Sequence, residues 1–261
     1  MGSHSFFYRR GHSDTEPFIG RRSVAFVPRH YEPRYAYPLL VLFHGRGGDE
    51  NQLLRIMPRL SNRNYVAIGL RGPQATRARR DGTSGFAWAQ TLRGASTGEG
   101  VATLHRPAIP PLSEASCDFL ADYVADAIEE VQGRLNIHSR RIFLVGYGEG
   151  AAAAYRLGLG MPDRFAGIVS VNGWMPRCQG PMIWLPQARR LRVLIAHGRD
   201  NRLVPVSVST QAHRLLLAAG IDSTLQVLDS GHRIHSQLLR HVNEWIMEFC
   251  TARPNNKVAL G

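Results

Sequence analysis

Residues 142–155 read Ile-Phe-Leu-Val-Gly-Tyr-Gly-Glu-Gly-Ala-Ala-Ala-Ala-Tyr, and no other stretch restricts the fold so tightly. The apolar run predicts a buried strand. The alanines that follow predict a helix. Gly146, Gly148 and Gly150 stand between them at alternate positions. A strand that turns sharply into a helix lying back on its own sheet needs residues without Cβ atoms where the backbones meet, so the segment implies a βα unit. A dinucleotide-binding turn is spaced G-x-G-x-x-G, whereas residue 151 is alanine. That argues only weakly against a nucleotide site, because alanine is tolerated at the last position. The other turn of this shape is a nucleophile elbow, which raises its reactive side chain on the middle residue. Here the middle residue is Gly148.

The rest of the chain repeats the alternation. Short apolar runs at 23–27, 39–43, 65–70, 168–171, 192–196 and 224–228 predict strands. Helical spacing links Phe119, Leu120, Tyr123, Val124, Ala127, Ile128 and Val131, and again Leu238, Leu239, Val242, Trp245, Ile246 and Phe249. The fold class is therefore α/β, a mainly parallel twisted sheet with helices on both faces. The chain divides into an N-terminal extension (1–20), a single domain (21–250) and a flexible polar tail (251–261). Within the domain, 71–113 is a long Gly-, Arg- and Pro-rich connection that reads as a cover or insertion.

Composition narrows the function classes. No run reaches the ~18 apolar residues of a membrane span, and the N-terminus lacks the apolar core of a signal peptide. Gly2 fails as a myristoylation site because Phe6 stands where Ser or Thr is needed. Cys117, Cys178 and Cys250 form no CxxC pair, so neither a disulfide framework nor a thiolate zinc site is expected, and a reducing cytoplasm fits. No metal or cofactor is expected. The 32 basic residues exceed the 20 acidic ones, giving a formal net charge of +12. Lys257 is the one lysine, so 31 of the basic residues are arginine. They are spread along the chain, which reads as a solvated, arginine-biased surface rather than a nucleic-acid tract.

Further landmarks follow in order: Phe43-His44-Gly45-Arg46-Gly47-Gly48, the elbow, Asn172-Gly173-Trp174, His197-Gly198-Arg-Asp200-Asn201-Arg-Leu-Val204-Pro205, and Gly231-His232. Over residues 20–250 the chain resembles the phospholipase/carboxylesterase branch of the α/β-hydrolases, the acyl-protein-thioesterase-like esterases. The resemblance implies an α/β-hydrolase fold and places the oxyanion-hole amides at Arg46 and Glu149. It puts the nucleophile at 148, the acid at 201 and the base at His232. It also implies a substrate cleft lined by Trp88 and Trp174, although aromatics at strand ends are equally plain core. Two of the three triad positions depart from the pattern: glycine replaces the nucleophile and asparagine the acid. Asp200 serves only if its loop is remodelled, because adjacent side chains on an extended loop diverge. His44 reads as a structural hydrogen-bonding residue. Neither Glu149 nor Cys117 is placed to replace the missing nucleophile.

The expectation is a pseudoenzyme with a degenerate catalytic triad, a ligand-binding or scaffold protein for a small acyl or ester-like ligand or a protein partner. The alternatives are a working carboxylesterase or thioesterase using an unorthodox site around His232, and, as a third class, an arginine-rich nucleic-acid-associated protein.

Overall fold

The computed structural model describes residues 5–8, 22–76, 82–88, 114–176 and 185–252. Its strands are β1 (Ser5–Tyr8), β2 (Ser23–Val27), β3 (Tyr37–Phe43), β4 (Val66–Leu70), β5 (Gln74–Ala75), β6 (Phe86–Ala87), β7 (Ile137–Tyr147), β8 (Gly167–Val171), β9 (Arg192–Gly198) and β10 (Asp222–Leu228). The helices are α1 (Met57–Leu60), α2 (Glu114–Gln132), α3 (Glu149–Gly160), α4 (Leu185–Ala188), α5 (Val206–Ala218) and α6 (Ser236–Thr251). One sheet runs β1-β2-β4-β3-β7-β8-β9-β10. β4 through β10 in that order are parallel, and β1 and β2 pair antiparallel at one edge. The sheet is that of an α/β-hydrolase fold.

The sheet's central position follows from its sequence. Every residue of β3 is buried, as a parallel strand covered on both faces requires. Leu39, Val41 and Phe43 face α2, α3 and α5, while Leu40 and Leu42 face α1 and α6, the two-residue alternation of a strand. β7 begins at Ile137, five residues before the apolar run. Its early residues, His138 to Arg141, are polar because this end reaches past the packed layer, which hides the strand from a hydrophobicity pattern. Of the segment 71–113, residues 74–75 and 86–87 form a two-stranded ribbon. Residues 77–81 and 89–113 lie outside the described residues, as does the tail beyond 252.

Two buried polar groups hold the loop after β3. The Glu50 carboxylate, almost fully buried, receives Arg71 through Nε (2.7 Å) and Nη2 (2.6 Å). Arg22 Nε lies 2.9 Å from the same carboxylate, an ion pair without hydrogen-bond alignment. The Arg71 guanidinium also stacks 4.3 Å over Phe86. His44 donates from Nδ1 to Gly45 O (2.8 Å) and accepts at Nε2 from Gly72 N–H (2.8 Å). The structural reading of this histidine is thereby seen directly. Burial pushes its pKa down to about 4.

Glu50→Gln strands two guanidinium groups beside a neutral amide and is expected to lower unfolding free energy by about 3 kcal/mol, read from urea denaturation. The His44 imidazole stays neutral in the folded protein but protonates near pH 6.5 when unfolded. The unfolded state then binds more protons, so stability falls as pH is lowered from about 6.5 towards about 4. The expected loss is about 3 kcal/mol over that window. In a His44→Gln variant the melting temperature should fall less steeply across the same range.

Candidate active site

The turn after β7 is built by close approach. A Cβ on Gly150 would sit 2.1 Å from Phe43 O, so a side chain there would push α3 off the end of β3. Gly148 caps α3 with φ 55° and ψ −118°, a backbone that costs an L-residue about 1 to 3 kcal/mol. Its N–H donates to Val171 O at 2.9 Å. A Cβ at 148 would lie 3.7 Å from both Cε1 and Nε2 of His232 and 3.8 Å from Gly45 Cα. The position is strained but sterically open, and it faces the imidazole edge that a base presents to a nucleophile.

His232 is held by its backbone. Its carbonyl accepts from Asn172 Nδ2 (2.7 Å) and from Tyr147 OH (3.1 Å), and the Tyr147 ring lies against the imidazole at 4.9 Å between centroids. Asn172 is fully buried in the left-handed region at φ 50°. It spans two loops, because its Oδ1 also accepts Gly198 N–H at 2.8 Å. Asparagine tolerates that backbone better than most residues. Tyr147 and Asn172 were not singled out as site residues from the sequence. An Asn-Gly pair closing a buried strand was the available signal for Asn172.

Asn201 is buried, but it closes its own turn: Oδ1 accepts the N–H groups of Leu203 and Val204, both at 3.1 Å. Its Nδ2 lies 3.4 Å from His197 Nε2. His197 is itself occupied, donating from Nε2 to Val204 O (2.8 Å) and accepting Ser209 Oγ–H at Nδ1 (2.7 Å). Asp200 is exposed. His232 Nδ1 is buried and, among the described residues, has no hydrogen-bond partner. Burial lowers the His232 pKa, and the like charge of His197 lowers it further. Both effects favour the neutral ring, and among the described residues no carboxylate hydrogen-bonds to it.

Arg46 and Glu149 meet: Arg46 Nη1 lies 2.9 Å from Glu149 Oε1. The Glu149 carboxylate is buried and also accepts Trp88 N–H at 3.4 Å, so its side chain points away from His232 and ties α3 to the loop after β3. Trp88 is 3% exposed, and its indole N–H donates to His44 O at 2.8 Å. It packs on Phe43 and supports the loop after β3 from the core side. Trp174 is half-buried. It follows Gly173, whose Cβ position is 2.5 Å from Gly148 O, and so lies beside the elbow. An apolar cavity of about 30 Å³ lies under Tyr147 and Ile234, between α1 and α6. It has room for a group of methyl size.

The geometry agrees with independent comparisons. Residues 32–249 match the sequence profile of the phospholipase/carboxylesterase family. Carboxylesterase SOBER1 of Arabidopsis thaliana is 26% identical over 107 residues, 40% of this chain and 47% of that protein. Acyl-protein thioesterase 1 homolog 2 of Dictyostelium discoideum is 21% identical over 128 residues, 48% of this chain and 58% of its own length. The chain thus spans about half the length of these curated relatives. The SOBER1 crystal structure superposes with a TM-score of 0.64 at 19% identity, covering 83% of this chain and all of that one. YahD, solved with malic acid, superposes with a TM-score of 0.60 at 17% identity, covering 95% of this chain and all of YahD. With the profile matched over most of its length, the chain belongs to the phospholipase/carboxylesterase family of α/β-hydrolases.

Proposed function

We propose that this chain is a non-hydrolytic member of its family, a receptor that holds a small carboxylate or ester-like ligand at the former acyl site. One observation carries the reading: the elbow residue facing His232 Nε2 is glycine, with neither hydroxyl nor thiol. Covalent acyl transfer needs a nucleophile at that point. Asn201 supports the same reading, since an amide holds no positive imidazolium and the serine-protease exchange of Asp for Asn costs ~10⁴ in kcat. The ligand class rests on charge. Arg233 follows His232, close enough to act on Tyr147, and the Arg46 guanidinium, paired with Glu149 through Nη1, is partly exposed beside the elbow. The malic acid of the YahD structure is a carboxylate of the kind such a site takes.

The protein is expected to show no burst with short p-nitrophenyl esters, to release product no faster than the slow background that an oxyanion hole alone sustains, and to escape labelling by fluorophosphonates. Burst kinetics mapped to a residue beside His232 overturn the reading. Steady turnover without a burst, abolished by His232→Ala, favours a hydrolase that activates water in the open space at 148. Repair variants test the two departures. Gly148→Ser gains little alone and Asn201→Asp nothing. Together they exceed the product of the singles in kcat/KM, with a coupling approaching ~10⁴. The amides of Leu203 and Val204 already point at the 201 side chain and would hold a carboxylate there.

A further inference from the structure

We propose that the end of the sheet opposite this site binds single-stranded nucleic acid, contacting its phosphates through a row of arginines. The sequence scatters these residues, and the strand order collects them. Val66, Leu39 and Ile142 are aligned in register across β4, β3 and β7, and Phe143, Gly167 and Arg192 across β7, β8 and β9. Arg63, Arg34, Arg140, Arg141, Arg164, Arg189 and Arg190 all lie just N-terminal to that line. Phe26 of antiparallel β2 pairs with Ala67, so Arg29, just after β2, reaches the same edge. The row crosses six strands, roughly 24 Å at the ~4.8 Å strand spacing.

All but the half-buried Arg141 are exposed, and among the described residues none of the eight forms an ion pair. The same connecting segments carry two acids, Glu32 and Asp163. Nearby, Glu129 at the end of α2 is a further exposed acid, while Glu130 and Asp222 are held by Arg134 and Arg192. The surplus positive charge therefore faces solvent. Guanidinium groups grip phosphate in paired hydrogen bonds, which a lysine surface does not.

A polynucleotide fits better than a lipid surface. Among the described residues of the segments bearing these arginines, the one large apolar side chain left exposed is Tyr35, 47% exposed and braced edge-on against Tyr37 at 4.7 Å. One braced aromatic ring beside Arg34 makes a platform on which a base stacks. It supplies little to bury in a bilayer, where apolar area sets binding strength.

The test is fluorescence anisotropy of the full chain with a labelled oligouridylate of about 20 nucleotides, longer than the site. With about four phosphates engaged, affinity should fall about 50-fold between 50 and 200 mM salt. The triple variant Arg34→Glu, Arg140→Glu, Arg190→Glu should abolish binding. A control triple elsewhere, Arg55→Glu, Arg202→Glu, Arg240→Glu, changes net charge equally and should stay within about fivefold of the parent, the residue of long-range attraction. Tyr35→Ala should weaken binding about tenfold with the salt slope unchanged, and Tyr35→Phe should retain it. Melting curves confirm folding, and single Arg→Gln variants replace any triple that does not fold. Absence of binding by the parent, equal loss in the two triples, or adsorption to phosphatidylserine vesicles without RNA binding would each overturn the proposal.

Discussion

The contact between the start of α3 and the ends of β3 and β7 is the constraint on which the rest of the site depends. Phe43 O and the Cα of Gly150 are so close that no side chain fits between them. That contact fixes where the helix begins, and therefore where Gly148 points. The same proximity brings Gly45 to 3.8 Å from the Gly148 Cβ position and lets Arg46 cross to Glu149. The buried Glu149 charge is tolerable because that guanidinium accompanies it and because it stands in the first turn of α3, at the positive end of the helix dipole.

A second consequence concerns His232. In a working triad the acid orients the imidazole through Nδ1; here Nδ1 has no partner among the described residues, yet Nε2 still faces the elbow. The orientation comes instead from the backbone of residue 232, fixed by Asn172 and Tyr147, and from the tyrosine ring against the imidazole. Asn172 adds the coupling between the β8, β9 and His232 loops. The imidazole thus keeps its place with glycine at 148 and asparagine at 201. The same brackets explain how a neutral imidazole persists: burial and His197 both disfavour its charged form.

Most of the fold was legible because the parallel strands are short, apolar and separated by helical periods, with runs such as 39–43 and 168–171 falling within the observed strands. The ends were less legible. Ser5–Tyr8, read as part of an extension, pairs with β2 as an edge strand, and the polar start of β7 carried no hydrophobic signal. For the site, the family resemblance carried by the ordered landmarks implied that Gly148 and His232 meet, and a Cβ at 148 would lie 3.7 Å from His232 Nε2. The resemblance gave no view of how Asn201 uses its side chain, because an Asx-type turn and an imidazole contact demand the same residue at the same position. Trp88 shows the same limit. Its sequence context does not distinguish a cleft wall from an indole donating to His44 O beneath the loop.

A parallel sheet has two chemically distinct ends, and this chain loads them differently. The C-terminal ends of the strands carry glycine turns, buried polar brackets and a neutral histidine, all held within hydrogen-bonding distances. The N-terminal ends carry exposed arginines on short connections where little packing depends on them. An arginine there changes the field outside the molecule without touching the start of α3 or the His232 loop, which lie at the other end of the strands. Charge on that face and residue identity at the elbow can therefore vary independently, since substitutions so far apart, with no shared partners, have nearly additive effects. A substitution at the elbow therefore leaves the basic face intact, and a substitution on that face leaves the elbow and the His232 loop as they are.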